Sequence, residues 1–275
     1  QKQAFVDDGF LVVRDMVPAV ARNRALRMIN AALGENKPHR VANDVFTGHE
    51  NCDPLQHAPE ILSLLSETPA LSVVEQLTEP GAIPATRCCQ VASRFPQPDP
   101  PLKARQPFIP HLDGIPNRAN GLPAGKVFPF SLLVGIYLSD LMEPDSGNFV
   151  VWPGSHRAIE SHARARPEGW FDADGFGPLP EGLPPLELGE PVQVLLGAGD
   201  VVVAHYQLAH SVAQNLSPHI RYAVYYRLAH RAVTFDWSQL RDIWRCHPAL
   251  VEFNSPASGS SVVINSSSSS GARHA

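Results

Sequence analysis

Apolar residues recur at helical spacing early in the chain and gather into short runs later. Over 18–33, Leu26, Ile29 and Leu33 fall on one side of a predicted helix, with Pro18 in its first turn and Gly34 at its end. The stretch before it, FVDDGFLVVRDMVP (5–18), reads as a short strand leading into that helix. A second helical stretch covers 59–77 and is interrupted near Pro69. From ATRCCQVASRF (85–95) onward the pattern is that of strands. The candidates are VFPFSLLVGIYLSD (127–140), NFVVWP (148–153), PVQVLL (191–196), DVVVAHY (200–206) and RYAVYYRL (221–228). Helices first and strands afterwards predict an α+β fold, one strand-rich core flanked by an N-terminal helical layer.

Two segments break the pattern. Residues 164–191, RARPEGWFDADGFGPLPEGLPPLELGEP, are rich in Pro and Gly and longer than an ordinary connection. They are expected to be either a lid or a surface insertion without a role. Residues 255–275 are of low complexity and are expected to form a tail. Residues 1–254 are then expected to form one domain. The 27 prolines and 19 glycines are spread through apolar segments, as in a protein of many short strands with tight turns.

Composition narrows the function by exclusion. A formal net charge of −5 lacks the basic footprint of a nucleic-acid or membrane-surface protein. No run of about 18 apolar residues offers a membrane span. Cys52, Cys88, Cys89 and Cys246 show no C-x-x-C spacing and read as reduced thiols of a cytoplasmic protein. A small-molecule partner is the remaining expectation, and the oligomeric state is open.

The candidate chemistry begins at IPHLDG (109–114). His111 and Asp113 are two apart, so on an extended segment both side chains leave the same face, as two ligands of one metal ion would. A histidine from a distant strand would complete a 2-His-1-carboxylate triad for Fe(II), leaving positions open for substrate and O2. The motif is weak alone, since a strand-end histidine beside a solvated aspartate reads the same way. GAGDVVVAHYQLAH (197–210) adds a turn, a strand and two further histidines. An arginine on the following strand would suit a dicarboxylate cosubstrate such as 2-oxoglutarate, whose far carboxylate needs a bidentate cation. His210 precedes Arg221 by eleven residues, whereas His205 would meet Leu216 at that spacing. His219 lies in a turn. His230 and Arg241 share the spacing but lack a preceding Gly-Asp strand.

These residues resemble the phytanoyl-CoA dioxygenase-like (PhyH) family of Fe(II)/2-oxoglutarate oxygenases, from about Phe5 to Leu228. The resemblance is carried by DDGFLVV, HLD, SGNFVVWPGSH (146–156) and GDVVVAHYQLAHSVAQNLSPHIRYAV, with Gly199, Asp200, His210, Asn215 and Arg221 in the expected order. It implies a double-stranded β-helix (jelly-roll, cupin-like) core. It also implies iron at His111, Asp113 and His210, and 2-oxoglutarate at Arg221. Gln90 matches a place where the family often has a pocket-lining amide. Trp152 is expected to face the interior near the site, His156 to fix a turn, and His205 to serve as packing near the metal. Tyr222, Tyr225 and Tyr226 are expected to fill the sheet. Arg118 and Lys126 are solvated loop charges or contacts for an anionic group.

The expected activity is hydroxylation of an unactivated C–H in a small organic molecule, with succinate and CO2 as co-products. Two alternatives stay open: a jelly-roll metal enzyme that does not use 2-oxoglutarate, which would not need Arg221, and a non-catalytic jelly-roll binding protein. A halogenase would carry Gly or Ala where this chain has Asp113.

Overall fold

The computed structural model describes residues 1–35, 50–51, 55–97, 107–118, 122–177, 183–184 and 186–254. The expected tail (255–275), part of the expected insertion (178–182 and 185) and Cys52 lie outside the described residues. Helix α1 spans Lys2–Asp8, strand β1 Phe10–Val13 and helix α2 Ala19–Glu35. Strand β2 (Glu50–Asn51), helices α3 (Pro59–Ser66) and α4 (Ala70–Leu77) and strand β3 (Gln90–Arg94) follow. The second half contains β4 (Leu132–Tyr137), β5 (Phe149–Val151), α5 (Ser155–Ala165), β6 (Val192–Gln193), β7 (Val201–His205), β8 (His210–Val212), β9 (Arg221–Leu228) and α6 (Ser238–Arg241).

The strands form an antiparallel double-stranded β-helix. A six-stranded sheet runs in the order β1-β7-β4-β9-β3-β2, and a three-stranded sheet in the order β6-β5-β8. Alternation along β9 divides its side chains between two cores. Ala223 and Tyr225 join the core between the sheets, with Phe149, Val151 and Val194. Val224, Tyr226 and Leu228 join the second core, beneath Phe5, Ile29, Ile61 and Val74 of helices α1, α2, α3 and α4. Each fully buried aliphatic or aromatic side chain there contributes about 1.5–3 kcal/mol. Every residue of β4 is buried. Gly135, in its middle, lies in register with both Tyr225 and Val202. A Cβ there would fall 2.8 Å from the Tyr225 ring, so the missing side chain is what lets Tyr225 lie across the sheet.

The structure departs from the sequence pattern in two places. Residues 2–8 are helical, so the strand expected over the start of 5–18 begins only at Phe10, after Gly9 closes α1 at φ 83°. Helix α5 occupies 155–165, where no helix is expected. Its buried residues are Ser155, His156, Ile159 and Ala163, a stripe with too few apolar members to announce itself. The break at Pro69 separates α3 from α4 as expected.

The expected insertion is anchored over its described start. Trp170 and Phe171 pack on Trp237, with ring centroids 4.6 and 4.9 Å apart. Cys88, Cys89 and Cys246 are unpaired thiols. No helix among the described residues is long and apolar enough to cross a membrane.

Candidate metal centre and its cavity

His111 and His210 meet across an isolated antiparallel bridge. His111 N donates to His210 O at 2.9 Å and His210 N donates to His111 O at 3.1 Å, the geometry of a hydrogen-bonded pair. Their imidazole centroids are 4.3 Å apart. Asp113 leaves the same face two residues on, with Oδ1 3.8 Å from His111 Nε2 and Oδ2 3.7 Å from His210 Nε2. One ligating atom from each residue lies within 4.8 Å of the other two, and no other such group of His, Cys, Asp or Glu occurs among the described residues. Gly114 allows the chain to turn directly after Asp113. Its φ is 79°, and a Cβ would fall 2.3 Å from the Phe128 carbonyl oxygen.

Local bonding prepares these groups as ligands. His210 Nδ1 sits 2.9 Å from the Leu208 carbonyl, which can only accept, so Nδ1 donates there and Nε2 is the atom turned toward Asp113. Burial pushes the Asp113 carboxyl toward the neutral form. The Arg227 charge, then those of His210 and His111, outweigh burial and hold its pKa well below the usual carboxylate range. The acid is therefore ionised at neutral pH. Two imidazoles and one carboxylate are a donor set that suits a divalent first-row metal such as iron.

A cavity of about 130 Å³ opens beside this group, with Gln90, Leu133, Phe149, Arg221, Tyr225 and Arg227 among its walls. Arg221 is 1 % exposed. Its one polar contact among the described residues is Tyr225 Oη at 3.4 Å, its Nε has no hydrogen-bond partner, and no acid pairs with it. A buried guanidinium without a counter-charge is costly, and an anion entering the cavity would neutralise it. Tyr225 Oη also lies 2.6 Å from Tyr137 Oη, so the phenol is fixed. A second cavity, of about 170 Å³, shares the Ser211 and Val212 walls and is bounded by Phe108 and Ile109.

His111, Asp113, His210, Arg221 and Gln90 thus line one cavity. Other sequence candidates lie elsewhere. His205 is buried against His156, His247 and Trp244, and its Nε2 donates to Ile243 O. His156 Nε2 donates to Val6 O, tying the turn to α1. His219 is exposed, and Trp152 is a core residue. Tyr222 and Tyr226 point away from the cavity, bonding Asn30 and the Ile61 carbonyl. Tyr225 does not merely fill the sheet; its phenol is part of the cavity wall. Arg118 pairs with Asp172 and Asp174, and Lys126 is exposed. Asp200 is structural: its carboxylate accepts from the Gly197 and Asp15 amides and so joins its own turn to the end of β1.

Sequence reasoning missed Arg227 entirely. Its Nε donates to Asp113 Oδ2 at 2.8 Å, and both terminal nitrogens reach Gln90 Oε1 at 3.1 Å. The available signal was strand alternation: 221, 223, 225 and 227 share one face of β9.

Fold and site together define an antiparallel jelly roll with a His-Asp-His group and a buried arginine in one cavity. The chain belongs to the phytanoyl-CoA dioxygenase (PhyH) family, whose model matches residues 5–223. Among solved structures it is similar to the epimerase SnoN, in complex with Fe3+, alpha ketoglutarate and nogalamycin RO (17% identity, 94% of this chain and 89% of that chain, TM-score 0.58). It is also similar to SnoK, a non-heme alpha ketoglutarate-dependent carbocyclase from nogalamycin biosynthesis (20% identity, 85% and 84%, TM-score 0.55). A third is HygX from Streptomyces hygroscopicus with nickel and 2-oxoglutarate bound (16% identity, 84% and 86%, TM-score 0.53). At these identities the likeness is one of fold. A search of curated proteins finds no match.

Proposed function

We propose that this chain is an Fe(II)- and 2-oxoglutarate-dependent oxygenase that hydroxylates an unactivated C–H of a small organic molecule. The observation that carries the reading is the pairing, in one cavity, of the His111–Asp113–His210 group with a buried Arg221 that has no acidic partner among the described residues. His111 and His210 Nε2 and the Asp113 carboxylate would hold the iron. Arg221 would pair with the far carboxylate of 2-oxoglutarate, beside the Tyr225 hydroxyl. Bound there, these partners supply the oxidising chemistry, O2 being consumed as the keto acid is converted to succinate and CO2. The protein's share is to hold the ligands, orient the substrate and exclude water, to which Phe149 and Leu133 contribute an apolar wall. The neighbouring cavity, with Phe108 and Ile109, supports entry of substrate from that side. SnoN, SnoK and HygX are described with alpha ketoglutarate or 2-oxoglutarate, which supports the cosubstrate more than the outcome, since the first two are an epimerase and a carbocyclase.

The test is succinate formation from 2-oxoglutarate under Fe(II) across a panel of small molecules, with product identified by mass. His111→Ala, Asp113→Ala and His210→Ala should each abolish it, while His205→Ala leaves metal binding intact. Arg221→Ala removes a buried charge-assisted contact of about 2–5 kcal/mol. The affinity for 2-oxoglutarate should therefore fall well over tenfold with metal affinity retained. An unchanged 2-oxoglutarate titration in Arg221→Ala would refute the cosubstrate assignment.

A further inference from the structure

We propose that Arg94 is a second cation of the cosubstrate pocket, forming with Arg221 a two-guanidinium cradle for the distal carboxylate of 2-oxoglutarate. The inference rests on the oxygenase reading above and adds to it a residue that neither motif nor spacing points to. The register of β3 against β9 pairs Gln90 with Tyr225, Ala92 with Ala223 and Arg94 with Arg221. Gln90 and Ala92 line the cavity, and alternation puts Arg94 on their face of β3, just past the residues that line it. Directly opposite residues of an antiparallel pair have Cβ atoms about 4.5–5.5 Å apart, and like charges so placed repel.

Both side chains run beneath Gly147, where an added Cβ would fall 3.2 Å from Arg221 Cβ and 3.3 Å from Arg94 Cδ. Neither has an acidic partner among the described residues, and the Nε of each lacks a hydrogen bond. Among the described residues the Arg94 side chain makes one hydrogen bond, to the Ala213 carbonyl at 3.2 Å. A single neutral acceptor does not offset the buried Arg221 charge and the half-buried Arg94 charge beside it. Burial and then the Arg221 charge bring the Arg94 pKa down only to about 10, so both guanidinium groups remain charged at neutral pH. A site with two adjoining cations and, among the described residues, no anion is complementary to a carboxylate and hostile to an uncharged ligand end.

The cradle makes a claim that simple packing does not. Arg94 should matter for a keto acid with a distal carboxylate and not for one without it. Isothermal titration of the Zn(II)-loaded protein compares 2-oxoglutarate with 2-oxobutyrate, which has the same keto-acid head and no second carboxylate. Arg94→Gln should lose at least tenfold in affinity for 2-oxoglutarate while 2-oxobutyrate binds as before, and Arg94→Lys should stay within about threefold of wild type. In melting curves without ligand, Arg94→Gln should equal or exceed wild type, because repulsion has been relieved, but should gain less on adding 2-oxoglutarate. Arg94→Met, which keeps the length of the stem, repeats the comparison should the Gln variant fail to fold. Unchanged 2-oxoglutarate affinity in Arg94→Gln would overturn the cradle, and so would equal losses for both keto acids. A wild type that binds both keto acids alike would overturn instead the cosubstrate reading beneath it.

Discussion

Arg227 shows how much of the candidate site depends on one side chain at its rim. It is 40 % exposed at the side chain, yet it holds the carboxylate of Asp113 and the amide of Gln90 at once. Its bond to Oδ2 fixes the orientation of Asp113, the task that groups behind metal ligands commonly perform. Arg227→Met should therefore weaken Co(II) or Fe(II) binding by about 10–100-fold, the usual cost of losing such a partner, with the melting temperature little changed. Chelator competition at neutral pH measures this, and Arg227→Lys should recover part of the loss. An unchanged metal affinity would make the contact incidental. His111, Asp113, His210 and Arg221, which the structure brings to one cavity, could be picked out as candidates because each sits in a short spaced motif. Arg227 and Arg94 are legible only through strand pairing. Arg227 serves Asp113, which is distant in sequence, and Arg94 gains its setting from Arg221 across β9.

At the scale of elements, a second histidine group works on the fold and not on the cavity. His156 at the start of α5, His205 at the end of β7 and His247 near the C-terminal turn are buried side by side, with centroids 5.3 and 5.4 Å apart. Through carbonyl bonds they fasten α1 at Val6, the segment after α6 at Ile243, and the end of α4 at Leu77. Burial is the main cause that lowers His156 and His247 to about 4, and it pushes His205 well below its ordinary value. The sign follows from proton uptake. Above pH 6.5 these groups are neutral whether the chain is folded or not, and stability is unaffected. Below it the unfolded chain binds protons that the folded one refuses, so stability falls until the folded pKa values are reached. Each group contributes up to about 1.4 kcal/mol per pH unit. The urea midpoint should drop steeply between pH 6.5 and 4.5, and less steeply in His247→Leu. A flat profile over that range would refute the account. The sequence pattern located most strands, since β4, β7 and β9 are long and apolar. It missed α5 because a serine, a histidine and an alanine share the buried face of that helix with a single isoleucine.

At the scale of the molecule, the start of the insertion is tied to the loop that carries the metal motif. Arg118 pairs with Asp172 at 3.0 Å and Asp174 at 2.7 Å, Gly177 N donates to Pro116 O, and Gly125 N donates to Gly175 O. The aromatic residues Trp170 and Phe171 are occupied by Trp237 and do not line the cavity. Hydrogen exchange should find residues 169–177 equally protected with and without substrate, and any protection gained on closing should map elsewhere. Arg118→Ala should raise exchange in 114–118 and 172–177 together; a rise confined to one of them would show that the two are not coupled. The pairing of β3 with β9 has a further consequence, for how the chain avoids misfolding. Slipping β3 by one residue would turn Gln90 and Arg94 into the helical layer among Ile61, Val74 and Leu132, and bring Val91 to the cavity. An arginine trapped there would have neither water nor a partner, and that alignment would be rejected long before any ligand arrived. Gln90 and Arg94 therefore also proofread the sheet, and exchanging them for apolar residues risks a chain that folds readily into the wrong register.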